Sequence, residues 1–336
     1  MSAADPVAAA GVVRASRVAA VLRLTDLSEV PADLGPTVVT LGNFDGVHRG
    51  HASVLATVVE QARSRGARSV AVTFEPHPLA VLHPDRAPAM ITSTADRLDL
   101  LERTGLDAVL LMPFTRELAA QTPEEFVKDV FVDRLRAVAV IVGKDTRFGV
   151  KNSGDISTLR ELGDRYDFDV LTLEDVGTDH RWSSTEVRQL LTEGDVATAA
   201  DVLGRHHHVS GTVVRGLQRG RELGFPTANL SRDAQGLVPG DGVYAGWLIR
   251  HGLDAGDPDH RLPAAISIGT NPTFDNVART VEAHVLDRTD LDLYGEPVSV
   301  ELVRRLRGND KFDSIDALVE QIGRDVDTAR ELLADS

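Results

Sequence analysis

One stretch constrains the fold of this 336-residue chain more than any other: TLGNFDGVHRGH at 40–51, entered from an apolar pair, Val38 and Val39. Behind it Ala52, Leu55, Val58, Val59 and Ala62 recur at helical spacing up to Gly66. The pattern predicts a strand, a tight glycine-rich turn and the start of a helix. Gly42, Gly46 and Gly50 let backbone approach a ligand closely. His48 and His51 stand three apart and share a face of a first helical turn. The N–H groups at a helix N-terminus attract phosphate, and two imidazoles would add donors aimed at the same oxyanions. Zinc is the competing reading of the pair. No third ligand stands nearby at metal spacing and the chain has no cysteine, so the phosphate chain of a nucleotide is favoured. Asn43 and Asp45 fit a role in shaping the turn and contacting nucleotide.

Further strands are expected at 69–74 (SVAVTF), 108–114 (AVLLMPF), 137–143 (AVAVIVG) and 168–173 (FDVLTL), and helices from Thr94 to Arg103 and from Thr122. Strands alternating with helices imply a parallel α/β sheet, with a ligand crevice at the strands' carboxyl ends. The motifs follow such ends. TFEPHP (73–78) carries Phe74 and His77, GKDTRFG (143–149) carries Asp145 and Phe148, and RWSSTEVR (181–188) sets Arg181 and Arg188 around Ser184 and Thr185. Taken alone, the first of these is a Pro-rich turn and the third a capped helix with a solvated Arg.

The texture changes near 205. Beyond LGRHHHVSG, where His206, His207 and His208 read as a polar junction, come short runs rich in β-branched and aromatic residues, split by Gly, Pro, Asn and Asp. These runs predict an antiparallel region closed into a small β-barrel, and Phe312, Ile315, Leu318, Ile322, Val326, Ala329 and Leu333 predict a terminal helix. Within the barrel half, Gly216, Gly220, Arg221 and Gly224 make a basic flexible loop, and Thr227 and Asn229 share one face of an extended segment. A hydroxyl and an amide oxygen are hard ligands of the kind Mg²⁺ accepts. The spacing does not match the P-loop signature.

Composition narrows the function classes. A net charge of −15, from 51 acids against 36 bases, disfavours a general nucleic-acid binder. No apolar run approaches a membrane span. Zero cysteine excludes disulfides and a thiol nucleophile and fits a cytoplasmic location. Residues 1–18, rich in Ala and Val with Arg14 and Arg17, read as a disordered tail.

GNFDGVHRGH resembles the signature of the adenylyltransferase module of bacterial bifunctional riboflavin kinase/FMN adenylyltransferases, and its paired His resemble the HxGH element of the nucleotidylyltransferase superfamily. TFEPHP, GKDTRFG and SSTEVR follow in that family's order, with Thr146 where an aromatic residue is usual. GRELGFPTANL, GVYAG, SIGTNPTF, VEAHVLD and KFDSIDALVEQI resemble the riboflavin kinase module in the same way. The likeness spans roughly residues 20–335. It implies a Rossmann-like nucleotidylyltransferase domain at 19–204 and a riboflavin kinase barrel at 205–336. It also implies riboflavin, FMN and ATP as substrates, FAD as product and Mg²⁺ as cofactor. The implied residues are His48 and His51 at the α-phosphorus, Arg181, Ser184, Thr185 and Arg188 as phosphate clamps, and Thr227 and Asn229 on ATP and Mg²⁺. Glu282 is implied as the kinase base; by residue type alone it is an edge-strand Glu. Phe74, His77, Phe126 and Phe148 are candidates for flavin contact. A nucleotidylyltransferase for another substrate and a non-catalytic flavin carrier are the competing classes. The expected assembly is a monomer or a weak homo-oligomer.

Overall fold

The computed structural model describes residues 21–173, 182–216, 219–269 and 279–334; the tail expected at 1–18 and Arg181 lie outside them. Six parallel strands form the first half: β1 (Leu22–Leu24), β2 (Thr37–Leu41), β3 (Arg68–Glu75), β4 (Ala108–Pro113), β5 (Ala137–Gly143) and β6 (Asp169–Leu173). Their order is β1-β4-β3-β2-β5-β6. β2 therefore has β3 on one side and β5 on the other, which makes its carboxyl end the point where the strand order reverses and a crevice opens. The central strands are buried on both faces. Val38, Ala71 and Ile141 pack against Leu55, Val58 and Ala62 of α1 (Arg49–Arg65) and Leu101 of α2 (Thr94–Glu102). Val39, Val72 and Val140 pack on the other side against Phe126, Phe131 and Leu159, the last from α3 (Ile156–Tyr166). This two-sided burial is why the strands read as continuous apolar runs.

The second half is a closed antiparallel barrel of β7 (His207–Val214), β8 (Ala228–Leu230), β9 (Gly242–Arg250), β10 (Arg261–Gly269), β11 (Thr280–Val285) and β12 (Pro297–Arg307), in the order β10-β11-β8-β7-β12-β9. Two helices precede it, α4 (Ser184–Glu193) and α5 (Val196–Leu203), and α6 (Ile315–Ala334) follows. Val326, Ala329 and Leu333 of α6 cover Ala245 and Ala265 on the barrel's outer wall. The expected apolar stripe is used only in its second half. Ile315 is 67% exposed, and Phe312 lies ahead of the helix with the Arg307 guanidinium 5.6 Å above its ring.

Two findings differ from the sequence expectation. Val187 and Leu191 of α4 and Val196, Ala199 and Val202 of α5 are buried in one cluster with barrel residues Val209, Leu248 and Val300. These helices, written in sequence with the α/β half, pack on the barrel. The histidine run is also no solvated junction. It opens β7: His207 is 3% exposed and donates from Nε2 to the Leu237 carbonyl at 2.7 Å, and burial pulls its pKa down to about 3. His208 reaches back to Asp96 of α2 at 3.4 Å. Among the described residues no helix is long and apolar enough to cross a membrane.

Candidate active sites

The turn after β2 leaves the sheet at the reversal point and enters α1 through three positive-φ residues, Phe44 (48°), Gly46 (77°) and Val47 (37°). Glycine is the residue that adopts this conformation freely, whereas Phe and the β-branched Val do so only when neighbours hold them. His48 caps α1, its Nδ1 accepting from His51 N–H at 3.3 Å. That contact leaves the proton of a neutral His48 on Nε2, a donor. The two rings stack with centroids 3.7 Å apart, and Phe44 meets His51 edge-on at 5.2 Å. Gly50 lies in the first turn, where a Cβ would stand 3.1 Å from the His48 ring; Gly42 backs onto Phe44.

A second helix N-terminus arrives at the same place. Ser183 caps α4, and Ser184 Oγ donates to the Asp45 carbonyl at 2.9 Å. Thr185 is exposed on the first turn. The first turns of α1 and α4 thus meet at this turn, and helix N-termini are suited to phosphate.

Asp45, expected among the nucleotide contacts, is 1% exposed. Its carboxylate accepts from the backbone N–H groups of Ile91 and Thr92 at 3.0–3.2 Å and from Arg188 Nη2 at 2.5 Å. Arg188, expected as a phosphate clamp, also donates from Nε to the Ala89 carbonyl at 2.8 Å. A buried carboxylate ringed by donors fixes a loop and would repel a phosphate. In this structure the pair forms a brace that ties the turn to α4 and to residues 89–92.

Arg97 escaped the sequence reading. Its guanidinium is fully buried, donating to the Asn43 and Phe74 carbonyls at 3.2 and 3.0 Å and to Glu75 at 2.8 Å. Burial depresses its pKa, and the Glu75 charge opposes that shift. It ties the ends of β2 and β3 together beside the crevice. An Arg on a helix otherwise read as amphipathic gives no local signal of this.

Beyond Asn43 a cavity of about 900 Å³ opens at the carboxyl ends of β2, β3 and β5. Phe74, Phe126 and Phe148 line it with His77, Phe114 and Thr146. The volume suits a ring system the size of a flavin. The His77 ring meets the Asn43 amide at 3.1 Å, and burial, followed by the Arg188 charge, lowers its pKa. Asp145 sits exposed in the turn after β5.

In the barrel, Asn229 pairs directly with Glu282 across β8 and β11. Thr227 Oγ1 donates to Glu282 Oε2 at 3.2 Å and accepts from Asn229 Nδ2 at 3.1 Å. Burial raises the Glu282 pKa, and the Thr227 hydrogen bond opposes it. Gly216 is required here, because a Cβ would lie 2.5 Å from Asn229 Oδ1. Gly220 belongs to a short helical turn, Arg219–Glu222, and Gly224 follows it at φ 89°. Gly216, Arg221, Thr227 and Asn229 line a small cavity of about 70 Å³ together with Tyr294. Among the described residues no cluster of three or more His, Asp or Glu is arranged to hold a metal ion.

Two family models match this chain. A family model for FAD synthetase matches residues 30–186 and one for riboflavin kinase matches residues 203–333. The bifunctional riboflavin kinase/FMN adenylyltransferase of Escherichia coli (strain K12) is 39% identical over 309 residues, 91% of this chain and 95% of that protein. That of Pseudomonas fluorescens is 36% identical over 301 residues, 89% and 94% of the two chains. A crystal structure described as a macrolide-efflux protein from Streptococcus pneumoniae superposes with a TM-score of 0.81 at 30% identity, covering 93% of this chain and 99% of that one.

Proposed function

The chain belongs to the bifunctional riboflavin kinase/FMN adenylyltransferases, and from that premise we propose how its residues divide two consecutive reactions. The barrel half phosphorylates riboflavin to FMN, and the α/β half joins FMN to AMP from ATP, giving FAD and pyrophosphate.

In adenylyl transfer the FMN phosphate oxygen attacks the α-phosphorus of ATP and the bond to the β-phosphate breaks. The attacking phosphate is already an anion, so no side chain has to form a covalent intermediate. Catalysis then rests on holding the two phosphates in line and stabilising charge on the departing pyrophosphate. His48 and His51 and the N-termini of α1 and α4 are assigned that task. Gly42, Asn43, Gly46 and Gly50 shape the turn, and Asp45 with Arg188 fixes it from behind. Arg181, outside the described residues, is kept as a phosphate contact, as are Thr185 and Asp145. The flavin ring is assigned to the cavity of Phe74, His77, Phe126 and Phe148. The observation that carries the assignment is the meeting of two helix N-termini on the turn whose Gly42 and Asn43 line a cavity of about 900 Å³.

In the kinase reaction Glu282 accepts the proton of the ribityl 5′-hydroxyl as its oxygen attacks the γ-phosphorus of ATP and ADP leaves. Gly216, Gly220, Arg221 and Gly224 are assigned to the nucleotide. Thr227 Oγ1 and Asn229 Oδ1 are oxygen donors of the kind Mg²⁺ accepts, beside the Glu282 carboxylate, so the residues fit the ion. The ion would neutralise phosphate charge, with most of its ligands drawn from the nucleotide. A cytoplasmic location suits these substrates and the cysteine-free sequence.

The test is a chromatographic time course with riboflavin, ATP and Mg²⁺. The wild-type chain should yield FMN and then FAD. His48→Ala should stop at FMN, and Glu282→Ala should form no FMN yet still convert added FMN to FAD. A His48→Ala chain that makes FAD at the wild-type rate would remove the assignment of the α/β site.

A further inference from the structure

We propose that Arg205, which links α5 to the barrel, is a positioning residue for adenylyl transfer: it holds the left-handed Gly46–Val47 backbone so that His48 and the start of α1 face the phosphates. Arg205 Nη2 donates to the Gly46 carbonyl at 2.6 Å and Nη1 to the Val47 carbonyl at 3.2 Å, with Leu203 O at 3.4 Å. Both bonds end on the two peptide groups immediately before His48. Val47 has φ 37°, a conformation a β-branched residue keeps only where its surroundings over-determine it. A planar guanidinium holds two carbonyls with a rigid fork of donors, whereas an ammonium is a point charge on a flexible stem.

The charge adds to this. Among the described residues the Arg205 guanidinium has no ion-pair partner: its hydrogen bonds go to backbone carbonyls, and Asp96 is already held by His208. Arg103 and Asp96 are the charged groups nearby that act on it. Burial brings its pKa down to about 10, so it remains a cation at neutral pH. A cation with no ion pair among the described residues, behind the His48 turn, favours anions on the far side of those peptide groups. The inference rests on reading the His48 turn as the phosphate site.

The test compares Arg205→Ala and Arg205→Lys in the full chain, measuring FMN-to-FAD and riboflavin-to-FMN rates on the same preparation. His48→Ala serves as the control for the underlying reading. Arg205→Ala should lower kcat for adenylyl transfer about 10- to 100-fold, the scale set by small misplacement of reacting groups. KM for ATP should change less, and the riboflavin kinase rate should stay within about twofold of wild type. Arg205→Lys should recover part of the loss, and added guanidinium ion should restore rate to Arg205→Ala but not to His48→Ala. Should Arg205→Ala fail to fold, the kcat against KM split in Arg205→Lys decides. Adenylyl transfer unchanged in a chain whose His48→Ala variant is dead would overturn the inference alone. Loss of both activities in parallel would reduce Arg205 to a stability role and also overturn it. FAD formation surviving His48→Ala would remove the underlying reading instead.

Discussion

Replacing Asp45 by Asn changes one oxygen to nitrogen at a position that is 1% exposed, so almost all of its effect must come from hydrogen bonding and charge. Every neighbour of that carboxylate in the brace is a donor: Ile91 N–H, Thr92 N–H, the Thr92 hydroxyl and Arg188 Nη2. An amide there must turn an N–H group toward one of them. Losing the charge-assisted bond to Arg188 costs about 1.5–3 kcal/mol, and a buried donor left facing donors costs about 1–3 kcal/mol more. The sum, about 2.5–6 kcal/mol, brackets the cost of about 3–5 kcal/mol usual for breaking a buried ion pair. Urea unfolding would be followed by tryptophan fluorescence in a Trp247→Phe background, which leaves Trp182 as the only tryptophan. Trp182 lies beside the brace, with the Arg49 guanidinium 5.7 Å from its ring. In an Arg188→Met background the same Asp45→Asn change should cost about half as much, because its charged partner is already gone. A loss below about 1 kcal/mol in the Arg188-containing chain would refute the brace, since a pair of that strength cannot vanish around a carboxylate that is 1% exposed.

Three other outcomes follow from particular residues. Because the folded pKa of His207 is about 3 against an ordinary 6.5, the unfolded chain binds the extra proton as pH falls below 6.5. Stability from this site is complete above that pH and should fall by about 2 kcal/mol by pH 5. His207→Gln, which keeps a donor for the Leu237 carbonyl, should flatten that slope by one proton in acid-titrated unfolding; an unchanged slope would count against it. Burial raises the Glu282 pKa, so the acid limb of the kinase pH profile should lie above the ordinary carboxylate range. Glu282→Asp should retain that limb at a lower rate, and a Glu282→Gln enzyme with full kinase rate would exclude it as the base. Ile91→Ala should cost about 2–5 kcal/mol, as fully buried Ile-to-Ala changes do. Its side chain fills the barrel-side core while its N–H serves Asp45 and its carbonyl accepts from Leu237 N–H, so thermal unfolding of both halves should shift. A shift confined to one half would show that this residue does not join them.

Much of this protein could be read from local pattern, because the physics that sets it is local. Apolar runs at 69–74, 108–113 and 137–143 are strands because a parallel sheet buried on both faces asks for β-branched and aliphatic residues without alternation. Ser183, Asp195 and Thr122 stand as caps where the sequence put capping residues. The glycine-and-histidine turn names its own place at the end of β2, and the short runs after 205 name a barrel. Fold class followed from residue spacing, whereas the expected place of both sites drew also on the likeness of the motifs to a known family. What the sequence could not supply was the partner of each charged residue across long chain separations. Asp45 and Arg188 are 143 residues apart, and nothing in SSTEVR distinguishes an arginine that clamps phosphate from one that holds a buried carboxylate. Arg97, Arg205, Ile91 and His207 looked like surface, junction or ordinary core residues, yet each becomes a tie between segments only when the fold places carbonyls, amides or a second core against it. Periodicity reports which side of an element faces the interior; it carries no information about which backbone groups will be waiting there, and those groups decide the task of each polar side chain.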